Sequence, residues 1–191
     1  PNTYFANLNP EGQFDNLESV TNEVKLMMDP NADPYATPAP DENAVPAKFG
    51  ASDIQDLNWV QLMNAYTCTE CGRCTSSCPA NITGKKLSPR KIMMDTRDRM
   101  EEVGRNIDAN KGVFVPDNKS LLNDYITPEE LWACTSCNAC VEECPVNISP
   151  LSIIIDMRRY LVMEQSAAPT SLNVMMSTIE NNGAPWQYSQ Q

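Results

Sequence analysis

The chain has 191 residues, a formal net charge of −11 and no histidine. That charge makes it a poor binder of nucleic acid or anionic lipid. The missing imidazole removes the usual general base, proton shuttle and nitrogen metal ligand, so any chemistry rests on cysteine, carboxylates or a cofactor.

The first fifty residues read as peripheral. Seven of the fifteen prolines precede residue 47, and residues 1–60 hold ten acids against Lys25 and Lys48 alone. Residues 29–47, DPNADPYATPAPDENAVPA, are expected to form an extended linker or an arm laid on another surface. Between Gly12 and Met28 one short helix is predicted, with Leu17, Val20, Val24 and Met28 at helical spacing. No run of 18 apolar residues and no signal-peptide core is present, so no membrane span is expected within this chain.

From Ser52 the pattern changes. Ile54, Leu57, Val60, Leu62 and Met63 predict a helix over Asp53 to Tyr66, capped by Ser52 or Asp53 and leading into Cys68. An internal repeat follows. Cys68-x2-Cys71-x2-Cys74-x3-Cys78-Pro79 recurs 66 residues later as Cys134-x2-Cys137-x2-Cys140-x3-Cys144-Pro145. Beyond the cysteines, Asn81-Ile82 matches Asn147-Ile148. After a five-residue insertion Ser88-Pro89 matches Ser149-Pro150, then Asp95 matches Asp156 and Arg97 matches Arg158.

Ser as N-cap and Pro at the first helical position predict helices from Pro89 to about Val103 and from Pro150 to about Gln165. Thr127-Pro128-Glu129-Glu130 is a capping box that starts a helix before the second motif. Gly104–Ile126 reads as a loop with one short turn and a single strand-like stretch, Val113–Val115. A last helix is expected from about Ser171 to Glu180, stopped at Asn181-Asn182-Gly183. The predicted fold is all-α: two pseudo-repeated helix–Cys loop–helix halves behind an irregular N-terminal arm. Trp59, Trp132, Ile153, Ile154, Ile155 and the methionines supply its core. The expected divisions are 1–51 (arm), 52–168 (helical domain) and 169–191 (closing helix and link).

Eight cysteines admit disulfides, zinc or iron–sulfur clusters. Disulfides need an oxidising compartment that nothing here signals, and zinc ribbons use two separated Cys-x2-Cys pairs. The spacing C-x2-C-x2-C-x3-C-P is the bacterial ferredoxin run, in which three thiolates on one loop reach three corners of a cubane. Two copies predict two [4Fe–4S] clusters. In two-cluster ferredoxins the fourth Cys serves the other cluster. On that pattern one cluster takes Cys68, Cys71, Cys74 and Cys144, and the other takes Cys134, Cys137, Cys140 and Cys78. The sequence alone equally permits each motif to close on its own cluster. Arg73 lies inside the first motif where Ala139 stands in the second, which favours the higher potential at the Cys68 loop.

Over about residues 52–165 these features resemble the α-helical ferredoxin domain. That domain occurs in the C subunit of heterodisulfide reductase, in its fused relatives, and in the iron–sulfur subunits of glycolate oxidase and anaerobic glycerol-3-phosphate dehydrogenase. A similar helical domain, with a different cluster set, sits in the iron–sulfur subunit of succinate dehydrogenase. Asn181–Trp186 resembles the link after the ferredoxin domain in heterodisulfide-reductase-like proteins. In fused relatives a domain with Cys-Cys-Gly motifs follows and a membrane segment can precede. This chain carries neither and reads as a subunit or, preferentially, an excised middle domain. The resemblance implies an electron-transfer module of an oxidoreductase complex. The alternatives are the iron–sulfur part of an enzyme acting on disulfides or hydroxy acids, its substrate site on another domain or subunit, and a protein whose clusters only hold the fold. It further implies a redox partner subunit or adjoining domain of Cys-Cys-Gly or flavin type, no nucleic acid, and a cytoplasmic location that extends to the inner face of the membrane.

Overall fold

A computed structural model describes residues 17–29 and 48–186 of the chain. Its helices, in order, are α1 (Glu18–Met28), α2 (Trp59–Thr67), α3 (Arg73–Ser76), α4 (Pro79–Ile82), α5 (Pro89–Ala109), α6 (Pro128–Ala133), α7 (Ala139–Glu142), α8 (Pro150–Arg159) and α9 (Thr170–Asn182). Among the described residues there is no strand, and one isolated bridge joins Leu122 to Ile126. The fold is all-α, as the periodicity and caps predict.

The start signals hold in atomic detail. Ser88 Oγ accepts from the Lys91 N–H at 3.3 Å and Ser149 Oγ from the Ser152 N–H at 3.4 Å. The Thr127 N–H donates to Glu130 Oε2 at 2.9 Å while Thr127 Oγ1 accepts from the Glu130 N–H at 3.4 Å, the reciprocal pair of a capping box. At the far end, Gly183 takes φ +66° and its N–H reaches back to the Ile179 carbonyl, so α9 stops two residues beyond the expected point.

Several boundaries differ from expectation. The helix predicted over Asp53–Tyr66 is two pieces. A single turn, Ile54–Asp56, is capped by Asp53, and the chain then extends through Leu57 before Asn58 caps α2 through a second box with Gln61. The helix from Pro89 runs past Val103 to Ala109, because Gly104 alone does not outweigh the good helix formers around it and the Glu101–Arg105 pair. The helix from Pro150 stays α-helical only to Arg159 and finishes as a wider turn, Tyr160–Glu164. Val113–Val115 forms no strand: the Asn106 side-chain amide takes both the Val115 N–H and its carbonyl.

α2 packs on α5, α5 on α8, and α6 on α8. Ile92, Met93, Leu131, Ile153, Ile154, Met157 and Leu161 fill the space between them and are buried. Trp132 packs partly buried against this core, whereas Trp59 is 53% exposed and is no part of it. The methionines divide: Met93 and Met157 are core, while Met27, Met28, Met163 and Met176 are exposed.

Two polar networks tie distant segments together. Lys91 on α5 pairs with Asp95 (2.7 Å) and with Glu130 on α6 (2.9 Å). Arg99, wholly buried, joins Asp53, Asp117 and the Lys119 carbonyl. Gly50 is required where it stands. At φ +74° it meets α8 so closely that a Cβ would lie 2.2 Å from the Asp156 carbonyl oxygen, and the next N–H, of Ala51, donates to that oxygen. Residues 48–51 are thereby part of the packed unit, with Lys48 also paired to Asp56.

α1 buries none of its residues, and the linker that follows it is proline-rich and acidic. Removing residues 1–46 is therefore expected to change the stability of the remainder by no more than about 0.5 kcal/mol. Chemical unfolding and iron content of the two forms check this; loss of iron in the shortened form contradicts it.

Candidate metal centre

The two cysteine loops share one backbone course. Cys68 ends α2 and Cys134 ends α6, each with extended backbone. Two residues on, Glu70 and Ser136 take φ of 57° and 55°; four residues on, Gly72 and Asn138 take 80° and 61°. These left-handed positions curl each loop so that its thiols face inward. Gly72 and Asn138 then cap the one-turn helices α3 and α7, which carry Cys74 and Cys140. α3 packs against α7, so the loops lie side by side.

Between them are two cavities. The first, about 360 Å³ including space open to solvent, is lined by Cys68, Cys71, Cys74 and Cys144, with Cys140 also on its wall. The second, about 320 Å³ on the same measure, is lined by Cys78, Cys134, Cys137 and Cys140. Each cavity thus gathers three thiols of one motif and the closing thiol of the other. Cys140 borders both, which makes the cavities neighbours. Cys78 and Cys140 are buried; Cys71 and Cys137 are exposed.

The thiols feel one another, and Cys140 feels thiols of both cavities. Burial pushes the Cys140 thiol up to about 12, with Cys134, Cys74, Cys78 and Cys137 adding to it. Burial also raises Cys74, and Cys68 and Cys144 add to that shift. Cys134 is raised by burial and opposed by the Ser136 N–H and Arg158. Without metal these thiols hold their protons at neutral pH, so metal loading releases them.

The donor set fits an iron–sulfur cluster. All four converging groups at each cavity are soft sulfur donors. Among the described residues no three Cys, Asp or Glu side chains converge tightly enough for a single ion. Backbone N–H groups already point at sulfur: Ser136 to Cys134 Sγ at 3.4 Å and Ile148 to Cys144 Sγ at 3.3 Å. The starts of α5 and α8 border the cavities through Pro89 and Pro150 and bring their positive helix ends toward an anionic group. Asn138 lines the second cavity with its Oδ1 buried and without a hydrogen-bond partner among the described residues.

Three side chains near the loops carry no signal in the motif itself. Arg158 on α8 donates to the carbonyls of Leu131 (Nε, 3.0 Å) and Cys134, reaches Ser136 Oγ at 3.4 Å, and stacks 5.0 Å from the Trp132 ring. Its repeat partner Arg97 on α5 instead forms an ion pair with Glu70, which lines the first cavity. Asn138 is the third. Setting one half of the repeat on the other shows Asn138 in the place of Gly72, and the same arginine in both halves with different partners. Arg73, singled out from the sequence, is exposed and lines neither cavity.

Residues 67–148 match the family model of the 4Fe-4S dicluster domain. The chain is 36% identical over 167 residues to the probable iron-sulfur-binding oxidoreductase FadF of Bacillus subtilis, covering 72% of this chain and 24% of that protein. It is 34% identical over 156 residues to the EtfAB:quinone oxidoreductase of Syntrophomonas wolfei, covering 72% of this chain and 22% of that protein. It is 32% identical over 108 residues to the C subunit of the ferredoxin/F(420)H(2)-dependent CoB-CoM heterodisulfide reductase of Methanosarcina acetivorans, covering 56% and 52%. The chain therefore spans about a quarter of the first two proteins and about half of the third. The match to the dicluster family model supports iron–sulfur clusters in this chain.

Proposed function

We infer that this chain, which resembles the α-helical ferredoxin domain of the heterodisulfide reductase C subunit and of iron–sulfur oxidoreductases, is the electron-transfer module of an oxidoreductase. It holds two [4Fe–4S] clusters, one on Cys68, Cys71, Cys74 and Cys144 and the other on Cys134, Cys137, Cys140 and Cys78. The observation that carries this reading is the pairing of two adjacent cavities, the first bordered by five cysteines and the second by four, with Cys140 shared.

A [4Fe–4S] cluster supplies a one-electron couple, with no proton or substrate bond required. The chain's own residues do the rest. The loops fix the thiolates, α3 and α7 hold the two loops together, and Met93, Val146, Ile148, Leu151 and Ile154 keep the inner walls apolar. Cys140, on the wall of both cavities, leaves a short path from one site to the next. All eight cysteines are used, so no thiol remains as a nucleophile and the substrate site lies on another domain or subunit. The partner is a redox subunit or adjoining domain of Cys-Cys-Gly or flavin type. Among the described residues no helix is long and apolar enough to cross a membrane; a relative from Chromohalobacter salexigens is named a probable membrane-anchored ferredoxin. We place the module in the cytoplasm, at the inner membrane face where its whole protein is anchored.

Analysis of the reconstituted chain tests this. About eight iron and eight sulfide per chain are expected, four of each per cluster, with a visible absorption that dithionite bleaches and air restores. Four iron, or stoichiometric zinc, overturns the two-cluster reading.

A further inference from the structure

The two halves of the repeat place different charges beside their cysteine loops. At the first loop, Arg97 is neutralised by Glu70, a side chain on the wall of the first cavity. At the second loop the residue in the place of Glu70 is Ser136, and the residue in the place of Arg97 is Arg158. Arg158 has no carboxylate within ion-pair reach among the described residues; it is spent on the Leu131 and Cys134 carbonyls and on Ser136 Oγ. One half therefore presents a cancelled pair and the other a half-buried cation, uncancelled by any acid, held against the loop of Cys134.

A second difference points the same way. Gly72 of the first loop offers no side chain, whereas Asn138 places an amide on the wall of the second cavity with its oxygen buried and unpaired. An unpaired buried acceptor carries an uncompensated desolvation cost. Turning that amide over presents its N–H2 to the cavity, which suits an anionic sulfur-rich group and removes the cost.

We propose that Arg158 and Asn138 raise the reduction potential of the cluster in the second cavity, while Glu70 cancels Arg97 at the first, so that an electron entering the module rests on the Cys134, Cys137, Cys140 and Cys78 cluster. This rests on the two-cluster reading above. It reverses the order that Arg73 favours from sequence.

Burial decides between the two orders. Arg73 at the first loop, Glu70 and Arg90 on the wall of the first cavity, and Glu142 and Glu143 at the second loop are all exposed. Exposed charges act through water and salt, where two unit charges interact several-fold more weakly than near a low-dielectric wall. Arg158 is held by fixed hydrogen bonds and reorients little when charge arrives. Cys78 and Cys140 are buried, which by itself opposes adding negative charge at the second site. The same dryness enlarges the effect of each fixed donor there.

The test is a potentiometric titration of the fully loaded chain with dithionite, followed by electron paramagnetic resonance, on variants that convert one half into the other. Each step is the uptake of one electron from dithionite by one cluster. Ser136→Glu places a carboxylate opposite Arg158 at a left-handed position that Glu70 already occupies in the first half. It should lower the upper of the two potentials by about 59 mV, a tenfold change in the reduced-to-oxidised ratio at fixed potential, and leave the lower in place. Asn138→Gly and Arg158→Gln should move the same upper step downward, Arg158→Lys should leave it near its original value, and Glu70→Gln should raise the lower step. If Ser136→Glu or Arg158→Gln moves the lower step, or moves neither while eight iron are retained, the proposal is overturned. Should Arg158→Gln lose iron, Ser136→Glu and Asn138→Gly decide, since neither removes a group that holds the loop. Failure of the two-cluster reading is seen separately, as four iron in the unaltered chain.

Discussion

Replacing Arg99 with Met is expected to destabilise the domain by about 3–5 kcal/mol, the usual cost of stripping one partner from a buried ionic network. Arg99 is 0% exposed. Its guanidinium donates to Asp53 at 2.8 and 3.1 Å, to both carboxylate oxygens of Asp117, and to the Lys119 carbonyl at 2.8 Å. Those partners lie 46, 18 and 20 residues away. The side chain thus joins the segment leading into the first cysteine loop, the long helix α5 and the connection to the second half. Met fills much of the volume and leaves two carboxylates facing each other without a cation. Arg99→Lys keeps the charge but loses the fork, and should fall between.

The acid limb carries the same signature. Arg99 holds the Asp117 carboxyl at about 2, below its ordinary 3.8. A carboxylate depressed in the folded state adds stability above its unfolded pKa and loses it as pH falls through the folded one. The Arg99-dependent part should therefore be whole above about pH 4 and fade toward pH 2. Denaturant unfolding of the wild type, Arg99→Met and Asp117→Asn checks both limbs; a loss under about 1 kcal/mol in Arg99→Met at neutral pH contradicts the assigned role.

None of this network is visible in the sequence, and the reason is physical. Arg99 sits on a helix with charged residues at most neighbouring positions, so its periodicity reads as a solvated face. Its partners are set by tertiary packing that no local pattern encodes. The local features are those that sequence reasoning reached: Ser88, Ser149 and Thr127 cap helices through bonds three residues long, and the cysteine spacing is a loop geometry in itself. The break at Leu57 was missed: Asn58-Trp59-Val60-Gln61 is a capping box, but the run of apolar residues across it reads as one continuous helix. Gly50 was not legible, since only the approach of α8 makes it necessary. At the cavities, the ligand set follows from the motif. The differences Glu70 against Ser136 and Gly72 against Asn138 can be read by laying one motif on the other, but what each side chain faces is set by the packing of the loops.

Substituting Cys78 with Ser is expected to remove about four of the eight irons, and to remove them from the cluster of Cys134, Cys137 and Cys140 rather than from that of its own motif. Reach is the physical basis. After three thiols on one curled loop, the chain passes Cys78 and turns at once into Pro79 and α4, so the fourth thiol leaves its own cavity. Cys78 is 7% exposed and lines the second cavity; it is not on the wall of the first. Cys144 behaves reciprocally, lining the first cavity and not the second, with its sulfur accepting from the Ile148 N–H. If cluster free energy is also folding free energy, each such thiol staples one half to the other, and losing it should loosen both halves. The Cys144→Ser variant should therefore spare the Cys134-loop cluster and damage the Cys68-loop cluster, the mirror of Cys78→Ser. The surviving cluster in each variant is identified by adding Ser136→Glu: its potential should shift in Cys144→Ser, where the nearby cluster remains, and stay unchanged in Cys78→Ser. A shift in Cys78→Ser and none in Cys144→Ser would mean that each motif closes on its own cluster, and the crossed assignment would fall while the count of two clusters survived.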